Sequence, residues 1–297
     1  MSNKSTVEDS TYGYRCLDPV PSQEELGQFY QSQYYDLLRK GGRAPDLRRL
    51  LEGGTAGARE RHWLREGMFT DIIAVLNKHC RGKRLLEVGC GTGEFLAFAG
   101  EKGFDVVGME PSTEAAQLAA NRKLCVHSVT LEQFAELPKE INPRGFDAVV
   151  LLHVLEHVPD PVDTVRRCKS LLNPEGILCV RVPNDFTRLQ QAAEVQINKQ
   201  KWWIAVPDHI NYFNFESLRR LFEGIGFDVV YDQGDFPMEM FLLMGDDYIG
   251  NPTVGGQCHE RRVRFDLALP PELRRSIYRA FAAAGVGRDC LMFGRKR

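Results

Sequence analysis

The chain has 297 residues, 43% of them hydrophobic and 26% charged, and a formal net charge of −2. That balance belongs to a folded globular protein and excludes disorder and collagen-like repeats. No apolar run approaches the roughly 20 residues that span a bilayer, and residues 1–10 lack the apolar core of a secretory signal, so a cytoplasmic location without a membrane span is expected.

Eight cysteines are scattered with no CxxC pair, which excludes a zinc ribbon or a disulfide framework and makes most of them small buried hydrophobes. Charge is uneven. Residues 257–297 hold ten Lys/Arg against four Asp/Glu, leaving the first 256 residues at −8.

In chain order, residues 1–65 are expected to form a helical cap or lid, with one helix from Ser22 to about Arg39 after the Pro19 and Pro21 turn. Apolar residues at helical spacing (Met68, Ile72, Ile73, Leu76) predict a helix over 66–79. A buried strand, 84–88, a glycine-rich turn, 89–93, and a helix, 94–100, follow, then a strand at 105–109 and a helix capped by Ser112. Further strands are predicted at 124–127, 146–152 and 177–182, with a helix at 162–172. Strands alternating with helices imply a mostly parallel sheet covered on both faces.

The end differs in kind. Asn214 caps a helix, and two β-like runs, 227–231 and 238–244, lie six residues apart. That link permits an antiparallel hairpin but not a crossover. Residues 66–245 thus read as one α/β domain and 246–297 as a basic C-terminal extension.

The segment Leu85-Leu86-Glu87-Val88-Gly89-Cys90-Gly91-Thr92-Gly93-Glu94 runs a hydrophobic strand into glycines at every second position and then into a helix. Glycines let the backbone turn with positive φ and approach a ligand closely. A GxGxxG dinucleotide loop would put its third glycine at Glu94, a carboxylate where pyrophosphate would sit, which disfavours nicotinamide and flavin cofactors.

GxGxG after a strand bearing an acid resembles the first motif of class I S-adenosylmethionine-dependent methyltransferases, and the likeness extends over about 66–244. Phe146-Asp147-Ala148-Val149-Val150 and Leu172-Asn173-Pro174-Glu175-Gly176 are similar to the family's fourth and fifth motifs, with Glu175 in place of the usual first glycine of Pro-Gly-Gly. The resemblance implies a Rossmann-like seven-stranded sheet, mostly parallel with a C-terminal antiparallel hairpin, and S-adenosyl-L-methionine as cofactor, leaving S-adenosyl-L-homocysteine.

It also implies a site. Glu87, Gly89, Cys90, Gly91, Thr92 and Gly93 would line the cofactor, Glu110 and Pro111 would meet its ribose, and Thr130 and Leu131 would flank the adenine. A carboxylate suits a vicinal diol because its two oxygens match the two hydroxyls. Leu152 and His153 would line the methyl-transfer pocket. Tyr34, with Tyr30 and Tyr35, would either fold over the cofactor as a lid or form a packing stripe.

His153-Val154-Leu155-Glu156-His157 also reads as the HxxEH zinc-protease pattern. It starts at a strand end and meets Pro159 after about one turn, too short for the continuous helix that fixes such a metal pair; no metal is assigned. His157 is expected to be structural. Pro207-Asp208-His209-Ile210-Asn211-Tyr212-Phe213 resembles the small-molecule branch that includes ubiquinone-type and sugar methyltransferases.

His153 and His209 are the candidate base and orienter, because an alcohol must lose a proton and imidazole titrates near neutral pH. His209 merely satisfying its loop stays an equal alternative. Trp202, Trp203, Tyr212, Phe213 and Phe215 form either core or a surface for a flat or sugar-like acceptor.

The expected function is therefore methyl transfer to a small-molecule oxygen: a sugar, a quinone precursor or a secondary metabolite. Arg261, Arg262, Arg264 and the Arg288 region would suit an anionic acceptor such as a phosphorylated sugar. Nucleic acid is disfavoured as a partner. The alternatives are a metal-assisted RNA 2′-O-methyltransferase that uses His153, Glu156, His157 and His209, and an inactive cofactor-binding partner subunit.

Overall fold

A computed structural model describes residues 5–9, 11–21, 45–136, 145–206 and 209–297. The predicted helix over 22–39 lies outside them. In chain order the described elements are β1 (Ser5–Glu8), β2 (Arg15–Asp18), α1 (Pro45–Glu52), α2 (Gly54–Leu64), a π-helical turn (Arg65–Phe69), α3 (Thr70–His79), β3 (Arg84–Val88), α4 (Glu94–Glu101), β4 (Asp105–Met109), α5 (Thr113–Asn121), β5 (Val126–His127) and α6 (Leu131–Ala135). They continue with β6 (Phe146–Leu152), α7 (Pro161–Leu171), β7 (Leu172–Pro183), α8 (Arg188–Ile197), β8 (Asn211–Tyr212), α9 (Phe215–Ile225), β9 (Phe227–Gln233), α10 (Glu239–Leu243), α11 (Pro252–Ala268), α12 (Pro271–Ala283) and β10 (Asp289–Lys296).

A seven-stranded sheet runs β5-β4-β3-β6-β7-β10-β9, and a three-stranded sheet runs β1-β2-β8. The expected Rossmann-like sheet is present, with helices around it. The chain divides into two compact units. One holds residues 21–150 and 171–176; the other holds 1–20, 151–170 and 177–297. These are not the sequence-derived limits at 65 and 245.

In the first unit β3 pairs in parallel with β4, and β4 with β5. Its core is built by Leu85 and Leu86, by Ile72, Val75 and Leu76 of α3, and by Phe95, Leu96 and Phe98 of α4. The helix expected over 66–79 begins only at Thr70, because the backbone departs from helical geometry at Gly67. Asp147 accepts the Arg84 N–H and an Asn173 side-chain N–H at 3.0 Å each, joining β3, β6 and the turn before residue 177.

In the second unit the antiparallel hairpin expected over 227–244 is absent. Residues 238–244 hold α10, whose Met238, Phe241 and Leu242 are buried while Met244 is exposed. That is helical spacing, which a nearly continuous apolar run hides from pattern reading. The antiparallel partner of β9 is β10, which pairs through Met292 with Asp232 and on its other side through Cys290 with Val182 of β7. Residues 289–296 therefore lie inside the sheet, between β7 and β9, rather than in an appended extension. Gly294 allows the tight packing there, since a Cβ would sit 2.7 Å from the Phe222 ring.

Within the N-terminal segment expected to be a helical cap, residues 45–52 and 54–64 are helical while its first described residues are extended. Residues 5–8 and 15–18 form strands, Leu17 is fully buried, and Tyr14 stacks on Phe213 at 5.0 Å. Five cysteines are buried, Cys125 is exposed, and all eight are free thiols.

Candidate functional site

The glycine turn leaves β3 with Gly89, Gly91 and Gly93 at φ +69, +53 and +76°. Three left-handed residues in five explain three glycines. The turn is tied down at its start, where Gly89 N–H and Cys90 N–H both donate to the Met109 carbonyl, at 2.8 and 3.0 Å. A Cβ on Gly93 would lie 2.5 Å from Leu124, whereas one on Gly91 would meet nothing within 4 Å. Gly93 serves packing; Gly91 faces open space, as a backbone that receives a ligand must.

Glu110, at the end of β4, accepts the Gly91 N–H on Oε2 and the Ser112 N–H on Oε1, each at 2.9 Å. Burial raises its pKa, and these two bonds partly offset that rise. Glu87 is buried in β3; desolvation, with the neighbouring Glu110 charge, raises its pKa well above the usual carboxylate value. Its Oε2 has no hydrogen-bond partner among the described residues. Cys90 is buried and Pro111 exposed, and Thr130 caps α6 through a reciprocal bond with Gln133 while Leu131 is buried. Tyr34 lies outside the described residues.

The histidines belong to the second unit. His153 follows β6 with φ +57°, uncommon for a side chain of its size, and its N–H donates to the Arg181 carbonyl at 2.9 Å. Its ring lies between two carboxylates, with Nδ1 3.0 Å from Glu156 Oε1 and Nε2 3.7 Å from Asp289 Oδ2. Burial opposes charging this imidazole, but Asp289 and Glu156 outweigh it and raise its pKa. Against its own desolvation, the bond from His153 and the charges of His157, His153 and His209 lower the Glu156 pKa. Leu152, just before, is half-buried.

His209 is brought to this cluster by backbone zipping. Ile210 N–H and Asn211 N–H donate to the Glu156 carbonyl at 2.8 and 3.0 Å, while Asn211 Nδ2 donates to the carbonyls of Leu155 and Val158 at 3.1 and 2.7 Å. The His209 and His157 rings then meet edge to face at 4.9 Å. Glu156, His157 and His209 each present one donor atom within 4.8 Å of the others, a set able to hold a metal ion.

Sequence reasoning missed the hub Glu156 as a non-metal residue and the acids behind His153. Arg181 donates Nη2 to Asp289 Oδ2 at 2.5 Å and to Asp235 Oδ2 at 2.9 Å, and the Asp289 N–H donates to Asp235 Oδ1 at 2.9 Å. These residues come from β7, β10 and the loop after β9; no local motif announces them.

Among the aromatic candidates, Tyr212, Phe213 and Phe215 are core, while Trp202 remains partly exposed and meets Trp203 edge to face at 4.9 Å. The basic residues of the C-terminal segment are dispersed: Arg261 pairs with Asp246 at 2.5 Å, Arg297 pairs with Asp228 at 2.7 Å, Arg262 is buried, and Arg264 and Arg288 are exposed.

A family model described as a methyltransferase domain matches residues 61–232. The ubiquinone biosynthesis O-methyltransferase of Haemophilus ducreyi is 36% identical over 109 residues, which cover 35% of this chain and 46% of that protein. The chain thus spans about half the length of the curated relatives it matches. Among solved structures, a SAM-dependent methyltransferase from Archaeoglobus fulgidus aligns with TM-score 0.51 at 18% identity, over 89% of this chain and all of that one. The plantazolicin methyltransferase BpumL, solved with SAH, aligns with TM-score 0.52 at 15% identity, over 92% and 94% of the two chains. With more than half of its length matched by the family model, the chain belongs to the methyltransferase-domain family.

Proposed function

We propose that this protein transfers a methyl group from S-adenosyl-L-methionine to an oxygen of a small-molecule acceptor, with quinone precursors the first class to test. The residues of the glycine turn fit that cofactor: Gly91 faces open space, Glu87 Oε2 is a buried atom without a partner among the described residues, and each Glu110 oxygen keeps a lone pair for a ribose hydroxyl. When bound, the cofactor supplies an electrophilic methyl group on a sulfonium. Leu152, Pro111, Cys90, Thr92, Thr130 and Leu131 keep their expected lining roles in this reading.

The observation that carries oxygen as the accepting atom is the convergence of His153 and His209 on buried Glu156. A hydroxyl must give up its proton as its oxygen forms the new C–O bond and the S–C bond breaks toward sulfur. Imidazole takes that proton, and Glu156 and Asp289 hold the His153 ring in one orientation. Both ring nitrogens of His153 face carboxylates, Glu156 and Asp289, so in this reading His209 serves as the base and His153 as the orienter.

The test is methyl transfer from labelled S-adenosylmethionine to a catechol, followed by identification of the methylated atom. His209→Ala is expected to remove most of the rate while leaving S-adenosylhomocysteine affinity unchanged; an unchanged rate and pH profile would exclude the base assignment. Glu110→Ala should weaken S-adenosylhomocysteine about 100-fold, as the loss of hydrogen bonds to a charged group implies.

A second reading follows from the donor set Glu156, His157 and His209. Two imidazoles and a carboxylate suit zinc or a related transition ion better than magnesium. Metal analysis of the purified protein, with activity measured before and after chelation, decides it.

A further inference from the structure

Glu94 opens α4 directly after the glycine turn, and its carboxylate is gripped from two sides. Arg61 of α2 donates Nε to Oε2 at 3.0 Å and Nη2 to Oε1 at 3.1 Å, a forked pair. Arg122, which follows α5, reaches Oε1 with Nη1 at 3.2 Å and Oε2 with Nη2 at 3.4 Å. The same Nη1 also donates to the Thr92 carbonyl at 3.0 Å. Two separate helical elements thus hold residues 92 and 94 of one turn.

The bridge also changes the electrostatics of the turn. The carboxylate expected to repel a pyrophosphate is matched by two guanidinium charges, so the preference among cofactors cannot rest on Glu94 charge alone. As a contribution to stability the bridge is modest: the arginines are 36% and 34% exposed, where ion pairs contribute little. Its larger effect is on conformation. A turn with three left-handed glycines has many accessible states, and the Kd of a ligand that needs one of them rises in inverse proportion to the fraction of time that state is populated.

We propose that Arg61 and Arg122, closed on Glu94 and Thr92, are positioning residues for the cofactor: they hold Gly91 to Gly93 in the binding conformation before the cofactor arrives. This rests on the reading of the turn as the seat of S-adenosylmethionine. Neither arginine needs to touch the cofactor. With Glu110 assigned to the ribose, the turn is left to the amino-acid end of the ligand; of the two backbone bonds Glu110 accepts, only the one from Gly91 belongs to the turn, and the Ser112 bond stays when the bridge is opened.

The experiment is calorimetric titration of the full chain with S-adenosylhomocysteine and, separately, with adenosine. Arg122→Gln is expected to raise the Kd for S-adenosylhomocysteine about tenfold while the Kd for adenosine stays within about twofold. Glu94→Gln, the milder change, should move the same ligand in the same direction. The double variant Arg122→Gln/Glu94→Gln should bind more weakly than either single variant but by less than the product of their two effects, because the Arg122–Glu94 contact is lost in both. Equal weakening of both ligands, additive losses, or unchanged S-adenosylhomocysteine affinity in variants that melt like the wild type would overturn the proposal. Wild-type protein that binds neither ligand would instead remove the cofactor reading beneath it.

Discussion

The Asp289 carboxylate, on the last strand of the chain, lies 3.7 Å from Nε2 of His153 and accepts a 2.5 Å bond from Arg181. One acid thereby joins a strand-end histidine to a buried guanidinium. Asp289→Asn keeps the shape and removes the charge, so the His153 imidazole should titrate at lower pH than in the wild type. Ring 15N chemical shifts followed across pH measure this directly; a His153 titration that does not move would show that Glu156 alone sets its basicity.

Asp185 gives a pH prediction of definite sign. It is buried, its carboxylate accepts from Gln190 Nε2 at 3.2 Å, and burial lifts its pKa from 3.8 to about 8. The folded state therefore takes up a proton that the unfolded chain has lost, and the stability this group contributes falls as pH rises from about 4 to 8. Asp185→Asn retains the acceptor for Gln190 and removes the titration. Its melting temperature should exceed that of the wild type at pH 9, by roughly 5 °C, and the gap should close towards pH 4.

Gly91 and Gly93 should separate binding from folding. Gly93→Ala places a Cβ 2.5 Å from Leu124 at φ +76° and is expected to destabilise the protein by about 2–4 kcal/mol in urea denaturation. Gly91→Ala meets no protein atom within 4 Å, so only the backbone term of about 1–2 kcal/mol applies. Its main effect should be on S-adenosylhomocysteine affinity, read by calorimetry.

Asn211 joins the His209 loop to the segment after β6 through the carbonyls of Leu155 and Val158. Asn211→Ala leaves both carbonyls without this donor, at about 1–3 kcal/mol each. Denaturant midpoints should fall accordingly, and the folded fraction should lose methyl transfer more than cofactor binding, because the loop and not the glycine turn is released.

Much of the fold was legible in local pattern. The strands at 84–88, 105–109 and 146–152 and the caps Ser112 and Asn214 lie where their residues predict, since strand period, caps and turn glycines act over a few residues. The three positive φ angles of the glycine turn follow from the spacing Gly89, Gly91, Gly93 itself. The run 238–244 misled because a short apolar stretch carries no clear period, and its neighbours, Phe236, Tyr248, Val254 and Cys258, decide that it packs as a helix.

Only the tertiary structure could supply the rest. Which strand pairs with β9 depends on a partner some sixty residues away, and loop-closure entropy leaves no mark in local composition. The insertion of β10 beside β7 carries Asp289 to His153, and the Asn211 bonds carry His209 to Glu156. By itself the sequence determined the glycine turn, because backbone freedom at three glycines is a property of those residues. Tertiary pairing decided which acids and arginines surround the histidines and grip Glu94, because charge partners are selected by distance in space.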